Sequence, residues 1–289
     1  MAGFDRRTLA PPVAAVRESY APDSVVLDAG ADFETLPPEA AEELGLLVDA
    51  LDPVAYPAEW LPDDAPPQLR RYAGPDFTIG MPDDGTVVWT RQTTPPTVIA
   101  KKRATGTPED FLAFLLAEAF VELSLEVPEH FLPFFGESYR DLAAATPLGP
   151  TETYQLAAAL FDAWVGIQAR EVFRSWADDT DIVGDTNSDT DGDTNSDTDA
   201  RRDTPSHPEI HAAWADAGDR LVDRLEDLPS AVARGDRSFT AATEYACAAV
   251  KHDLDLPAPF SALDTAAYRD HGAEYAVRWA EKTFEKLDG

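Results

Sequence analysis

The stretch from Thr107 to Trp176 most constrains the fold, because it holds the densest apolar sequence of the chain. Thr107-Pro108-Glu109-Asp110 brings together an N-cap residue, a proline and two acids, an order that typically begins a helix. Apolar residues then recur at spacings of three and four, and Pro128 and Gly136 divide the run. The stretch therefore predicts core helices that are joined by short connections, as in an antiparallel bundle.

Three glutamates, Glu118, Glu122 and Glu126, recur every four residues along the first of these helices. They favour either a solvated helix face or a set of metal ligands. A ferritin-like di-iron bundle needs Glu-x-x-His pairs, and this pattern does not occur in the sequence. We therefore expect a solvated face, whose internal repulsion salt would screen.

Residues 76–103 carry the clearest β signal. Three β-rich runs, Phe77-Thr78-Ile79, Thr86-Val87-Val88-Trp89-Thr90 and Thr97-Val98-Ile99-Ala100, are separated by segments rich in Pro, Asp and Gly. They predict a three-stranded antiparallel β-meander that packs against the helices of residues 107–177.

The N-terminal part predicts a strand and a helix. Pro38 to Leu51 has helical periodicity. Ser24 to Gly30 reads as a strand that runs into a turn, and it resembles the first motif of Rossmann-type methyltransferases. The resemblance implies S-adenosylmethionine binding at Asp28 and Gly30. Further glycines of that motif are absent here, however, so an ordinary surface turn is the alternative.

An eight-residue sequence, GDTNSDTD, occurs twice in tandem over residues 184–199. Residues 178–206 have almost no apolar content, so the composition predicts a disordered acidic insertion. Asp189 and Asp191 also resemble the first half of a calcium-binding loop, which leaves calcium binding as the alternative.

Residues 207–289 are again helical in pattern, and we expect them to complete the same domain as residues 1–177. The predicted fold class is mainly α (α+β), namely a helical bundle with a small three-stranded antiparallel β-meander and a disordered acidic insertion.

The charge balance is strongly acidic, with Lys+Arg 23 against Asp+Glu 54 and a net charge of -31. Few lysines, many alanines and this acidity resemble haloarchaeal proteins, including those filed as domains of unknown function. The resemblance implies a halophilic protein, since molar salt screens repulsion between carboxylates. Lys101, Lys102 and Arg103 favour either a nucleic-acid contact or a charged sheet edge. The net charge favours the edge, so we expect no nucleic-acid partner.

The chain has one cysteine, Cys247, and no run of the roughly 20 apolar residues that a membrane helix needs. These features predict a cytoplasmic protein that does not contact membranes, with Cys247 as an ordinary core residue.

The histidines supply the candidate chemical groups. His207 and His211 are spaced four apart as a metal pair would be, but the pattern is not that of a zinc protease, so no metal site is predicted. His130, His252 and His271, the last with Glu274, are the candidates for acid-base catalysis. No motif calls for a cofactor.

Two functional hypotheses remain open. The first is a non-enzymatic module that binds a protein partner, present as a monomer or weak homo-oligomer. The second is a hydrolase or metal-dependent enzyme that uses a His/carboxylate pair in a pocket between the meander and the helices. Whether the protein is an enzyme is left undecided. A concave pocket with perturbed titratable groups would favour the enzyme, and a broad exposed apolar groove would favour the module.

Overall fold

The computed structural model describes residues 3–33, 36, 38–74, 79, 85–177 and 206–287, and these residues form eleven α-helices and six strands. The strands are β1 (Phe4–Arg6), β2 (Val25–Ala29), β3 (Ala50–Leu51), β4 (Val87–Thr90), β5 (Thr93–Thr94) and β6 (Thr97–Ala100). The helices are α1 (Pro11–Tyr20), α2 (Pro38–Gly45), α3 (Pro67–Ala73), α4 (Glu109–Ser124), α5 (Phe131–Phe135), α6 (Ser138–Ala144), α7 (Pro150–Arg174), α8 (Pro208–Leu225), α9 (Leu228–Arg234), α10 (Phe239–Val250) and α11 (Ala266–Leu287).

The main sheet has four strands in the order β1-β2-β6-β4. Strand β4 pairs antiparallel with β6, and β1 pairs antiparallel with β2. The central pair β2 and β6 is parallel, with Leu27 opposite Ile99. Strands β3 and β5 form a separate small antiparallel pair. The mainly helical α+β class is therefore confirmed, with a mixed sheet.

The predicted antiparallel meander is wrong in its topology. The runs that contain β4 and β6 do pair as a hairpin, but the other neighbour of β6 is the distant strand β2, in parallel. Phe77 and Thr78 of the predicted first strand lie outside the described residues, and Ile79 belongs to no strand. Parallel strands need a long crossover connection, which here includes α2 and α3, and local turn sequences do not reveal such a pairing.

The sheet buries both of its faces, because successive side chains along a strand point to opposite sides. Val26, Trp89 and Val98 join the large hydrophobic core with the helices. Leu27 and Ile99 join a smaller cluster with residues of α2. The sheet therefore lies between α2 on one side and the helical core on the other.

Two glycines let the end of α10 lie against α7 and α8. A Cβ atom on Gly166 would lie 2.8 Å from the Cβ atom of Lys251, and one on Gly218 would lie 3.0 Å from the Cβ atom of His252. The first distance is too short for a Cβ atom and the second leaves almost no space for one, so glycine at these two positions allows the close approach. The contact fixes where Lys251 enters the core.

Most predicted helices are confirmed, with two changes. The predicted helix from Pro38 to Leu51 ends at Gly45, and Ala50–Leu51 instead forms β3. The last helix is kinked at Gly272, where φ is 46° and ψ is -122°. Within the described ranges, no helix combines the length and apolar content that crossing a membrane requires.

The predicted insertion, including both copies of the repeat, lies almost wholly outside the described residues. The chain leaves the described fold after Ala177 and returns at Ser206, whose hydroxyl donates a hydrogen bond to the Trp176 carbonyl at 3.2 Å. The large core contains residues from both sides of this gap, from Val13 to Phe284.

Candidate functional site

A cavity of about 430 Å³ lies between strand β4 and helices α4, α7 and α10. Its size falls in the range of sites for small organic ligands. Its polar lining includes Glu118, Glu122, Gln155, Asp162, Glu244 and Lys251, and its aromatic lining includes Trp89, Phe131, Tyr154 and Phe161. The cavity therefore combines several carboxylates with aromatic walls, in the place where the sequence suggested a pocket.

Helix α4 brings two carboxylates to this cavity because it is buried on almost every side. Buried apolar residues occupy eight of its sixteen positions, so its polar side chains face the interior as well. Glu118 and Glu122 are half-buried and line the cavity, whereas Glu126 is exposed beyond the end of the helix. The structure therefore contradicts the interpretation of this glutamate series as a solvated face.

Glu118 forms an ion pair with Lys251. The Lys251 ammonium lies 2.9 Å from a Glu118 oxygen, and the side chains are 13% and 29% exposed for Glu118 and Lys251 respectively. Burial works against the charged ammonium, but the attraction of Glu118 and then of Glu122 outweighs it, so the pKa of Lys251 is raised. The two side chains therefore form an ion pair in the cavity lining.

Glu122 has a different environment. Its Oε2 accepts a hydrogen bond from the Trp89 indole N–H at 2.6 Å. Burial, followed by repulsion from Glu118, raises the pKa of the Glu122 carboxyl to about 8, although the Trp89 hydrogen bond opposes this rise. At neutral pH most molecules therefore hold Glu122 as an uncharged acid beside the Glu118–Lys251 pair.

A further half-buried carboxylate, Glu129, holds the end of strand β4 in place. It accepts hydrogen bonds from the Thr90 hydroxyl at 3.0 Å, the Arg91 backbone N–H at 2.5 Å and the Gln92 amide at 3.0 Å. The Arg91 guanidinium donates to the carbonyls at the end of α4, including that of Leu123 at 2.7 Å. These bonds hold the end of the strand against the helix that carries Glu122.

His130 lines the same cavity but caps a helix. Its Nδ1 accepts a hydrogen bond from the Leu132 N–H at 3.2 Å at the start of α5. Burial lowers the pKa of His130 to about 3, so the ring is neutral. Its ring lies edge-on to Tyr56 at 5.1 Å. The predicted acid-base candidate is thus near the cavity in a structural role.

His252 lies in the aromatic core. Its ring is 5.9 Å from Phe114 and 5.8 Å from Trp214, and burial lowers its pKa to about 3. The neighbouring Asp253 forms an ion pair with Arg170 at 3.4 Å. The structure therefore does not bring His252 together with a carboxylate partner.

His271 and Glu274 are both exposed on α11 and do not line the cavity. Glu274 accepts a hydrogen bond from Arg278 at 3.0 Å, and the kink at Gly272 separates it from His271. The sequence prediction of a catalytic pair has no geometric support at this position.

The predicted metal candidates lie apart from the cavity. His207 packs edge-on against Trp176 at 5.1 Å, and burial lowers its pKa, while His211 lies 5.4 Å from Trp214. Asp189 and Asp191 lie outside the described residues. In the part of the chain that the structure describes, no three His, Cys, Asp or Glu residues are grouped so that they could hold a metal ion.

In the segment that resembles a methyltransferase motif, other residues of the protein bind both of the candidate residues. Asp28 forms an ion pair with Arg7, and the Gly30 N–H donates to the Gly3 carbonyl at 2.7 Å, because β1 lies beside this turn. The basic triplet forms no single patch. Lys101 is buried, and Arg103 lies 3.3 Å from Asp32.

Sequence reasoning missed that Glu118, Glu122 and Lys251 line one cavity. The available signal was the apolar character of α4 on all its faces, which leaves no solvated side for the glutamates. Cys247 is buried in the core as predicted, where it borders the cavity, and burial raises the pKa of its thiol.

Fold and site together define an α+β protein with a ligand-sized acidic cavity between a mixed sheet and its helices. The chain belongs to a family of unknown function (DUF7089), which it matches over residues 3–200 and 194–287. Searches of curated proteins and of solved structures found no match.

Proposed function

We propose that this protein binds a small organic cation in the cavity between β4, α4, α7 and α10. One observation supports the proposal above the others, namely the half-buried Glu122 carboxyl, whose hydrogen-bond donor is the neutral indole of Trp89. Among the described residues of the lining, Lys251 is the one ammonium group, and it is bonded to Glu118. Glu122 forms no direct ion pair with any described residue, and a ligand ammonium would supply one.

The walls suit the same ligand. The faces of aromatic rings attract cations, and Trp89, Tyr154 and Phe161 all border the cavity. The side chains of Asp162 and Glu244 are exposed and line the cavity as well, so the lining carries further acidic groups. A positively charged group would lower the pKa of Glu122, so binding at neutral pH would release a proton from this carboxyl.

Butylamine is a suitable probe, with butanol as the neutral molecule of the same shape. We expect butylamine to shift the NMR resonance of the Trp89 indole N–H, since this group is bonded to Glu122. The Glu122→Gln variant keeps the shape but not the charge, and it should bind butylamine at least about tenfold more weakly, because a charged hydrogen bond contributes about 1.5 kcal/mol or more. The control is Glu126→Gln, which changes an exposed glutamate and should bind normally.

Equal binding by the Glu122→Gln variant and the wild type would refute the proposal. An equal response to butanol and butylamine would also refute it, because the cavity would then select for shape and not for charge.

The protein-interaction module stays a second hypothesis from the sequence. Four large apolar side chains are notably exposed in the described ranges, Leu46, Val54, Val222 and Leu287, and they belong to four separate segments of the chain. They give little support for a broad apolar docking surface, so we favour ligand binding in the cavity over the interaction module.

We further propose that the protein works in the cytoplasm of a halophilic cell. The net charge of -31 and the presence of one cysteine support this setting.

A further inference from the structure

A cluster of three side chains lies on the surface formed by α8, the loop after α9, and α10. The guanidinium carbon of Arg237 is 4.3 Å from the centre of the Tyr245 ring, and that of Arg224 is 5.6 Å from it. The two guanidinium carbons therefore lie no more than about 10 Å apart. An anion bound beside the Tyr245 ring would be attracted by both.

No carboxylate among the described residues forms an ion pair with either guanidinium. Most arginines elsewhere in these ranges bond to carboxylates or to backbone carbonyls. Arg234, for example, pairs with Asp227 at 2.8 Å and Asp236 at 2.7 Å, and Arg17 donates to the Ser24 carbonyl at 2.6 Å. Arg224 and Arg237, by contrast, have neither an ion pair nor a hydrogen bond to a carbonyl among the described residues. The absence is informative in a chain with 54 acidic and 23 basic residues. The nearby Asp227 and Asp236 are already held by Arg234.

The geometry points to a binding site for a phosphate-type oxyanion that Arg224, Arg237 and the Tyr245 hydroxyl form together. Each guanidinium presents several N–H donors in a planar fork, and the hydroxyl adds another donor. A carboxylate has two oxygens, whereas phosphate has three or four that can accept from both forks and the hydroxyl at once. The number of donors therefore favours a tetrahedral oxyanion.

The behaviour of Tyr245 agrees with this assignment. A hydrogen bond from Arg237, followed by the charges of Arg224 and Arg237, lowers the pKa of the Tyr245 phenol. The cluster thus already stabilises negative charge on an oxygen atom at this place. A bound oxyanion would receive the same donors, and its own charge would raise the pKa of Tyr245 again.

The test is phosphorus NMR of inorganic phosphate with the full chain, at constant ionic strength set with KCl. Exchange with the protein should broaden the phosphate resonance, and the double variant Arg224→Gln/Arg237→Gln should reduce the broadening at least threefold. Arg278→Gln removes an exposed arginine that already pairs with Glu274, so it should leave the broadening unchanged. Carbon NMR of the tyrosine ring should show the pKa of Tyr245 rising when phosphate is added. Methyl phosphate should broaden as inorganic phosphate does if the site takes esterified phosphoryl groups, and less if it takes the free anion.

Equal broadening by the wild type and the double variant would overturn the assignment, as would the absence of broadening with the wild type. If circular dichroism shows that the double variant is unfolded, Arg237→Lys serves instead, because it keeps the charge and loses the fork. Weaker phosphate broadening by a folded Arg237→Lys protein would support the site, and unchanged broadening would overturn it.

Discussion

Raising the pH from 6 to 9 should destabilise the wild type more than the Glu122→Gln variant. The ordinary pKa of this carboxyl is 4.5, and in the fold it is about 8. The folded state therefore holds a proton that the unfolded state releases. The resulting stabilisation is fully present below pH 4.5, and it is lost as the pH rises through 8. Glutamine has no proton to lose, so the variant lacks this dependence.

The magnitude follows from the two pKa values. A tenfold change in proton affinity corresponds to about 1.4 kcal/mol, so a pKa of about 8 leaves about 2 to 3 kcal/mol of stabilisation at pH 6 and almost none at pH 9. Glu122 is half-buried and borders a cavity that water can enter, so screening reduces this figure. We expect a difference of about 1 to 2 kcal/mol between the wild type and the variant, or a few degrees in Tm for a chain of this length.

Urea unfolding followed by circular dichroism at pH 6 and pH 9, at one KCl concentration, measures this difference. Glu126→Gln is the matched control and should follow the wild type. The buried histidines do not interfere. The pKa values of His130 and His252 are lowered to about 3 from the ordinary value of 6.5. Their contribution to the free energy of unfolding is therefore lost as the pH falls below 6.5, and it is the same in the wild type and in each variant. Equal pH dependence in the wild type and Glu122→Gln would show that Glu122 is ionised at neutral pH and would refute the reasoning.

Three further outcomes are expected. Gly166→Ala should lower the free energy of unfolding by about 1 to 3 kcal/mol in a urea titration, because the new Cβ atom would lie 2.8 Å from Lys251. The control Gly45→Ala, whose Cβ atom would have no atom within 4 Å, should lower it by nothing measurable. Equal losses would show that α7 and α10 can separate freely. Deleting residues 184–199 should change the Tm by less than about 2 °C. Trp176 and Ser206 on the two sides are hydrogen-bonded to each other, and halving the length of a loop changes its closure free energy by only about 0.6 kcal/mol. A large fall in Tm would mean that the repeat contributes to the stability of the fold. The Tm should rise with KCl above about 1 M as carboxylate repulsion is screened, and a melt that is insensitive to salt would contradict a halophilic origin.

The sequence predicted the elements that local chemistry defines. Proline and acids mark the start of α4, and Gly136 separates α5 from α6 as expected. The hairpin of β4 and β6 follows from its β-rich runs. The parallel pairing of β2 with β6 depends on packing between segments far apart in the chain, and no local pattern encodes it.

The site was harder to predict than the fold, because its groups come from separate elements. Glu122 and Trp89 are 33 residues apart, and Glu118 and Lys251 are 133 apart, so no motif links them. The histidines were predicted as acid-base groups because of their usual chemistry, yet burial keeps His130 and His252 neutral in the core. A series of glutamates on a helix is also consistent with two structures, a solvent-exposed face or a face that lines a cavity. The extent to which the whole helix is buried distinguishes the two.

The hydrogen bond between Trp176 and Ser206 has a consequence for cleavage of the backbone between them. The chain leaves and re-enters the described fold at one place, and the large core takes residues from both sides of it. A break in the backbone between residues 178 and 205 would therefore remove no contact of the described core, whereas α4 against α8 and α7 against α10 would still bind the two fragments together. The protein is in this sense two complementary pieces, and a nicked chain should keep its fold and its cavity.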